Sequence, residues 1–300
     1  KTKNRDFNSY IAIIDSFIDR AELPQEDAKI IKKELKTYIT TRFEKNKWFH
    51  PEITKFCTDW YREFYRLVDN TDPYKKLKEE SNKKAQEVIA TINPTTFEEY
   101  IAAGIIGNRI DYGACLIENY NLETMQKDFE NLKNFTLHFN DSKRFKEKLV
   151  EAKNVLFLVD NNGEIIFDTF LLKELQKYFK KEDIYIMAKE SPMLNDVTID
   201  ELKDLGFEKY GTLLSTGSNC FGLHKEDVSE ECKKYLKETD LIIAKGQAYF
   251  EFFTEYSFRN VINILRVKYP IVNPALGDID SGVNMLITSE RYASYGKSYF

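Results

Sequence analysis

The feature that most constrains this chain is an apolar run, Val155-Leu156-Phe157-Leu158-Val159, that stops at the polar corner Asp160-Asn161-Asn162-Gly163-Glu164-Ile165-Ile166-Phe167-Asp168. The chain then continues as the helix-like segment Thr169-Phe170-Leu171-Leu172-Lys173-Glu174-Leu175. This order reads as buried strand, corner, covering helix. In an open α/β sheet, ligands bind at the carboxyl ends of the strands, and this corner crowds carboxylates, amides and a glycine into that place. Hard cations such as Mg²⁺ take oxygen ligands from carboxylates and amide carbonyls, so the corner reads as a metal site. Asp and Asn after a strand also cap helices, and Gly also makes turns. On the corner alone both readings stand.

The rest of the chain divides near residue 150. Residues 7 to 150 carry apolar side chains at three- and four-residue steps, among them Ile30, Ile31, Leu35, Tyr38 and Ile39, then Trp60, Phe64, Leu67 and Val68. These are helical stripes that face a core. Pro51, Pro73 and Pro94 mark helix starts. The second half alternates: apolar runs at 154–159, 184–188, 211–214 and 240–244, with amphipathic segments near 164–180, 198–206, 227–237 and 247–258. That rhythm predicts a parallel sheet covered by helices, with 262–267 and 283–287 as further strands. The expected architecture is α/β: a Rossmann-like parallel-sheet core over residues 151–300 with an N-terminal all-helical cap domain over residues 1–150, and the active cleft between them.

Three more polar segments follow predicted strands and belong on the same sheet edge. Ser191-Pro192-Met193-Leu194-Asn195-Asp196-Val197-Thr198 adds Asp196 to the hard oxygen donors Asp160 and Asn161. Ser215, Thr216 and the backbone of Gly217 offer donors able to cradle a phosphate. Lys245 brings a positive charge, and Gly246 lets the backbone approach a ligand closely. A cation, an anion nest and a lysine suit metal-assisted phosphoryl transfer. Singly, Asp196 could cap a helix and Lys245 could snorkel. In the helical half, Gly104-Ile105-Ile106-Gly107-Asn108-Arg109-Ile110-Asp111-Tyr112-Gly113 interrupts an apolar helix. Asn108 and Asp111 share one helical face; they either form a packing contact or line the cleft.

Composition excludes several classes. The formal net charge of -5 argues against nucleic acid as the main partner. The four cysteines, Cys57, Cys115, Cys220 and Cys232, have no CxxC spacing. No apolar stretch reaches membrane-spanning length and no secretory signal opens the sequence, so no membrane partner and a cytoplasmic location are expected. GxGxxG, P-loop, GxSxG and HExxH motifs are absent, and the corner lacks the Asp-x-Asp of haloacid-dehalogenase phosphatases.

With these segments in hand, the sequence resembles the DUF89 damage-control phosphatases, the ARMT1-like group, in its stand-alone archaeal and bacterial branch. The resemblance runs through DNNGEIIFD, PMLNDVT, AKGQAYFE and GNRIDYG, and spans residues 50 to 290. It implies a metal-dependent phosphatase acting on small phosphorylated metabolites such as sugar phosphates, with Mg²⁺, Mn²⁺, Co²⁺ or Ni²⁺ as the cofactor. Residue by residue, it implies that Asp160, Asn161 and Asp196 hold the metal, that Lys245 faces the phosphate, and that Asn108 and Asp111 line the substrate side. Glu164 and Asn195 match motif positions on that side too. The branch often opens with a cysteine-containing segment, and this sequence has no cysteine before Cys57. Spacing leaves open whether water or the Asp160 carboxylate attacks phosphorus, and the oligomeric state is equally open. Two rivals stand beside the phosphatase: an S-adenosylmethionine-dependent carboxyl methyltransferase, disfavoured by a single glycine at the first corner, and a non-catalytic phosphometabolite-binding protein.

Overall fold

The computed structural model describes residues 23–46, 53–110, 122–292 and 294–300, with the single positions 15, 18 and 21. Helices α1 (Gln25–Asn46), α2 (Ile53–Val68), α3 (Lys75–Ile89), α4 (Phe97–Gly107) and α5 (Leu122–Glu130) come first. Strand β1 (Phe139–Asn140) and helix α6 (Ser142–Glu151) lead into the alternating half. There β2 (Val155–Leu158), α7 (Glu164–Leu175), β3 (Ile184–Ala188), α8 (Ile199–Asp204), β4 (Thr212–Ser215), α9 (Glu230–Glu238), β5 (Leu241–Lys245), α10 (Gln247–Glu255) and β6 (Val261–Arg266) succeed one another. A small hairpin, β7 (Ile271–Asn273) and β8 (Gly277–Ile279), precedes β9 (Asn284–Thr288).

Among the described residues, seven strands form one sheet in the order β1-β9-β6-β5-β2-β3-β4. The five strands β6-β5-β2-β3-β4 are mutually parallel. The chain works outward from β2 through β3 and β4, then returns to the other side of β2 for β5 and β6, which is the doubly wound α/β order. All four expected apolar runs are strands of this parallel set, and 262–267 and 283–287 overlap β6 and β9. The sheet is not wholly parallel, because β9 runs antiparallel to β6. The link between them holds only the β7–β8 hairpin, whereas a parallel return needs a crossover, usually a helix. Strand β1 and the hairpin were not legible in the sequence: each strand has only two or three residues, too few for a periodic signal.

Strand β2 shows how the core is divided. Val155 and Phe157 join one apolar cluster with α3, α4 and α7. Leu156 and Leu158 join the cluster on the other face, with α9 and α10. Alternate side chains point to opposite faces, and with a cluster on each face a strand has no polar side, hence the unbroken apolar run. A third cluster joins α1 and α2 to Met193 and Leu194 of the loop after β3, so these helices lie against that loop. Helices α4 and α8 begin with full capping boxes, Thr96 with Glu99 and Thr198 with Glu201. The second box fixes where the loop carrying Asp196 ends.

Candidate active site

Strands β2 and β5 are neighbours where the strand order reverses, and their carboxyl ends carry Asp160 and Lys245-Gly246. A crevice forms at such a reversal because the two strands' connections leave toward opposite faces. Gly246 has φ +84°, and a Cβ added there would lie 2.1 Å from Asp160 Oδ2 and 2.4 Å from its Cγ. The Asp160 carboxylate therefore rests on the bare Cα of Gly246.

The loop after β3 is laced to the loop after β2 through the backbone. Val197 N donates to Asp160 O at 2.9 Å, and Asn162 N donates to Asn195 O at 2.8 Å. Asn161 and Asp196 pair as an antiparallel bridge. Asp160, Asn161 and Asp196 are thus brought together by ladder hydrogen bonds that do not depend on their side chains. Asn162 reinforces the lacing: its Nδ2 donates to Asn195 O at 3.1 Å, Asp196 O at 3.3 Å and Glu201 Oε2 at 3.0 Å. Asn82 of α3 closes the corner, donating to Asn162 Oδ1 at 2.8 Å and accepting from Gly163 N at 2.6 Å. Behind it, buried Lys78 forms ion pairs with Glu201 and Asp72, both at 2.7 Å. Burial works against the charge on Glu201, but Lys78 and Asn162 hold its pKa below the ordinary value.

Side chains then orient the donors. Asn108, at the end of α4, donates to Asp160 Oδ2 at 2.9 Å and to Glu164 Oε2. Asn161 Nδ2 donates to the same two carboxylates at 2.7 and 3.2 Å. With its NH₂ group so used, Asn161 presents Oδ1, which accepts no hydrogen bond among the described residues. Two carboxylates and an amide carbonyl form a hard oxygen donor set, which suits a cation such as Mg²⁺ that also keeps several waters. Among the described residues no group of three or more His, Cys, Asp or Glu is arranged to ligate a metal; the present set has two acids and an amide.

Lys245 lies beneath this cluster, 1% exposed, with Nζ 2.6 Å from both Glu164 Oε1 and Asp168 Oδ1. Burial alone would lower its pKa, but Asp168 and Glu164 outweigh burial and hold it raised. Burial pushes Asp168 up to about 7, against the pull of Lys245 and with repulsion from Glu164. Gly104 permits this packing, since a Cβ there would meet Asp168 Oδ1 at 2.6 Å and Lys245 Nζ at 2.9 Å. Two further groups border the Asp196 side. Lys189, also buried, has Nζ 3.3 Å from Asp196 Oδ2 and donates to Cys220 O. Tyr249 is raised well above the usual phenol value, first by burial and also by the charges of Asp196 and Asp160.

Asn195 is buried and its Nδ2 has no hydrogen-bond partner among the described residues, leaving a donor beside Asp196. Ser215, Thr216 and Gly217 follow β4, two strands away from β2. Their donors are engaged locally: Thr216 N with Ala188 O at 2.9 Å, Gly217 N with Ser215 Oγ at 2.9 Å, and Ser215 Oγ with Glu190. Among the described residues no hydrogen bond joins this trio to the Asp160 cluster. Asp111 lies outside the described residues. Asn82, Asn162, Asp168 and Lys189 support the site without having been singled out from the sequence. Asn162 and Asp168 sit within the corner motif, but nothing around Asn82 marks it in an ordinary polar helix.

Comparison with known proteins adds independent findings. Residues 8–280 match the family model of the damage-control phosphatase ARMT1-like domain. A damage-control phosphatase of Pyrococcus horikoshii is 34% identical over 215 residues, 71% of this chain and 73% of that one. A damage-control phosphatase of Archaeoglobus fulgidus is 30% identical over 244 residues, 78% of this chain and 81% of that one. The crystal structure of a DUF89 family protein from Pyrococcus horikoshii superposes with a TM-score of 0.80 at 27% identity, covering 94% of this chain and 98% of that chain.

Proposed function

The chain belongs to the damage-control phosphatase ARMT1-like family, and from that premise we propose that it is a metal-dependent phosphomonoesterase acting on small phosphorylated metabolites, sugar phosphates among them. The observation that carries this reading is the lacing of the two loops after β2 and β3, which makes neighbours of Asp160, Asn161 and Asp196 at the sheet's reversal point. Asp160, Asn161 and Asp196 would hold the cation, Mg²⁺, Mn²⁺, Co²⁺ or Ni²⁺. Bound there, the ion supplies Lewis-acid polarisation of a phosphoryl oxygen.

The protein's own groups do the rest. Asn108 and the Asn161 amide fix the Asp160 carboxylate by charge-assisted hydrogen bonds, so it needs no reorganisation when the substrate arrives. The Asn195 amide offers a donor to a phosphoryl oxygen from a buried position, where a hydrogen bond is stronger than in water. Lys245 offsets the negative charge of Glu164 and Asp168 under the site. Its contribution to phosphate binding is therefore through the field and through the placement of Glu164. We assign the helices that precede β1 as a cap and the remainder as the catalytic core, with the cleft between them; β1, although it lies within residues 1–150, belongs to the core sheet.

The test is hydrolysis of p-nitrophenyl phosphate and a panel of sugar phosphates with Co²⁺ or Mg²⁺. Turnover is expected with metal and should fall at least a hundredfold in Asp160→Ala and Asp196→Ala. Full activity in either folded variant would remove the proposed site.

A further inference from the structure

Helix α2 carries a polar stripe at helical spacing, and every member bonds to the loops beyond β3 and β4. Thr54 Oγ1 pairs with His224 Nε2 at 2.9 Å, Thr58 Oγ1 accepts from Phe221 N at 2.9 Å, and Arg62 donates to Asn219 and Asp227 at 2.9 Å. The last member, Tyr65, differs in where it reaches. Its hydroxyl accepts a hydrogen bond from Leu194 N at 2.6 Å. Leu194 is not glycine, yet it has φ +51°. A left-handed leucine is strained and persists only where its surroundings hold it. Two residues on is Asp196, whose own N–H closes the turn onto Met193 O at 3.0 Å. The phenol of Tyr65 lies close enough to Asp196 to feel its charge.

We propose that Tyr65 is a positioning residue for the metal site: by holding Leu194 left-handed it sets the turn that delivers Asp196 to Asp160 and Asn161. Without the hydroxyl, the buried Leu194 amide loses its partner and the turn loses the contact that opposes relaxation toward negative φ. Asp196 is then held beside Asn161 by the lacing of the two loops alone, and less firmly. The other three members of the stripe hold the same helix through the loop after β4; Thr54 and Thr58 bond to His224 and Phe221, and Arg62 reaches the Leu194 segment only through Asn219, whose Nδ2 donates to Pro192 O at 3.5 Å. The inference rests on the proposed metal site and deepens it.

The experiment is calorimetric titration of Mn²⁺ into the full chain and its variants, with melting temperatures measured in parallel. Tyr65→Phe removes a single oxygen and should weaken Mn²⁺ binding about tenfold, the low end for loss of a group supporting a metal ligand. Thr58→Val loosens the same helix without touching Leu194, and should lower the melting temperature while leaving Mn²⁺ affinity within about twofold of the starting protein. Adding Leu194→Gly to Tyr65→Phe supplies a residue that accepts positive φ unaided. It should recover much of the lost affinity despite a further drop in melting temperature. If Tyr65→Phe leaves affinity unchanged, or if Thr58→Val weakens it equally, the positioning role is wrong. Should Tyr65→Phe fail to fold, hydrogen exchange on the unaltered protein decides: residues 61–68 and 192–198 should gain protection together on adding Mn²⁺, and no gain overturns the proposal. A starting protein that binds no Mn²⁺, or an Asp160→Ala variant that binds it equally well, overturns the metal site itself and this inference with it.

Discussion

Gly246→Ala tests the geometry of the site most directly. Gly246 has φ +84° and ψ 166°, a region open essentially to glycine alone. Any other residue there costs about 1–3 kcal/mol of stability from the backbone. The larger effect is local. The new Cβ would stand 2.1 Å from Asp160 Oδ2, while Cβ atoms essentially never come within 3.0 Å of another heavy atom, so the carboxylate must retreat by about 1 Å. A misplacement of about 1 Å in a reacting constellation costs about a hundredfold in rate. The variant should therefore melt at a lower temperature, bind Mn²⁺ more weakly and lose about two orders of magnitude in kcat for p-nitrophenyl phosphate. Gly206→Ala is the matched control, since Gly206 also has positive φ, +71°, but a Cβ there meets nothing within 4 Å. It carries backbone strain without displacement and should keep its kcat. Wild-type kcat in a folded Gly246→Ala protein would refute the claim that the Asp160 carboxylate rests on that glycine.

Three other outcomes follow from the buried charges and the donor set. Lys245→Met leaves Glu164 and Asp168 facing each other in a fully buried place, and removing one partner of such a cluster costs about 3–5 kcal/mol; an unchanged denaturant midpoint would contradict the ion pairs. Asp168 is held at about 7 in the fold against an ordinary 3.8, so the folded state binds its proton more tightly and stability is lost as pH rises through that window, then levels off. Asp168→Asn should flatten this slope in melts between pH 4 and pH 7, and an identical slope in the variant would argue against it. Chelation should abolish phosphatase activity and lower the melting temperature, with both restored by Mn²⁺, because a ligand that binds only the folded state stabilises it; activity that survives exhaustive chelation speaks against metal dependence.

The Asp160 corner shows how far local pattern reaches. Strand, corner and helix are each short-range features, set by an apolar run, turn residues and a following amphipathic segment, and all three stand where the residues indicate. The two capping boxes are equally local. The Ser215–Gly217 segment shows where local pattern stops. Its residue types match an anion nest, yet its donors bond within their own turn and to Ala188 and Glu190. Nothing in a dozen residues of sequence says which of several candidate donors is already engaged.

By itself, the amino-acid sequence determined the α/β class, the strands of the parallel core and the polar corners at their carboxyl ends, because burial on both faces and helix periodicity are written along the chain. Only the tertiary structure decided the strand order, and with it which corners meet. It set β5 against β2, so that Gly246 carries Asp160, and it left the loop after β4 two strands away. It also showed Lys245, expected to face the phosphate, as a buried partner of Glu164 and Asp168. The physical reason is that hydrogen-bond partners and desolvation are properties of distant segments brought side by side, and neither leaves a periodic trace in the residues that receive them.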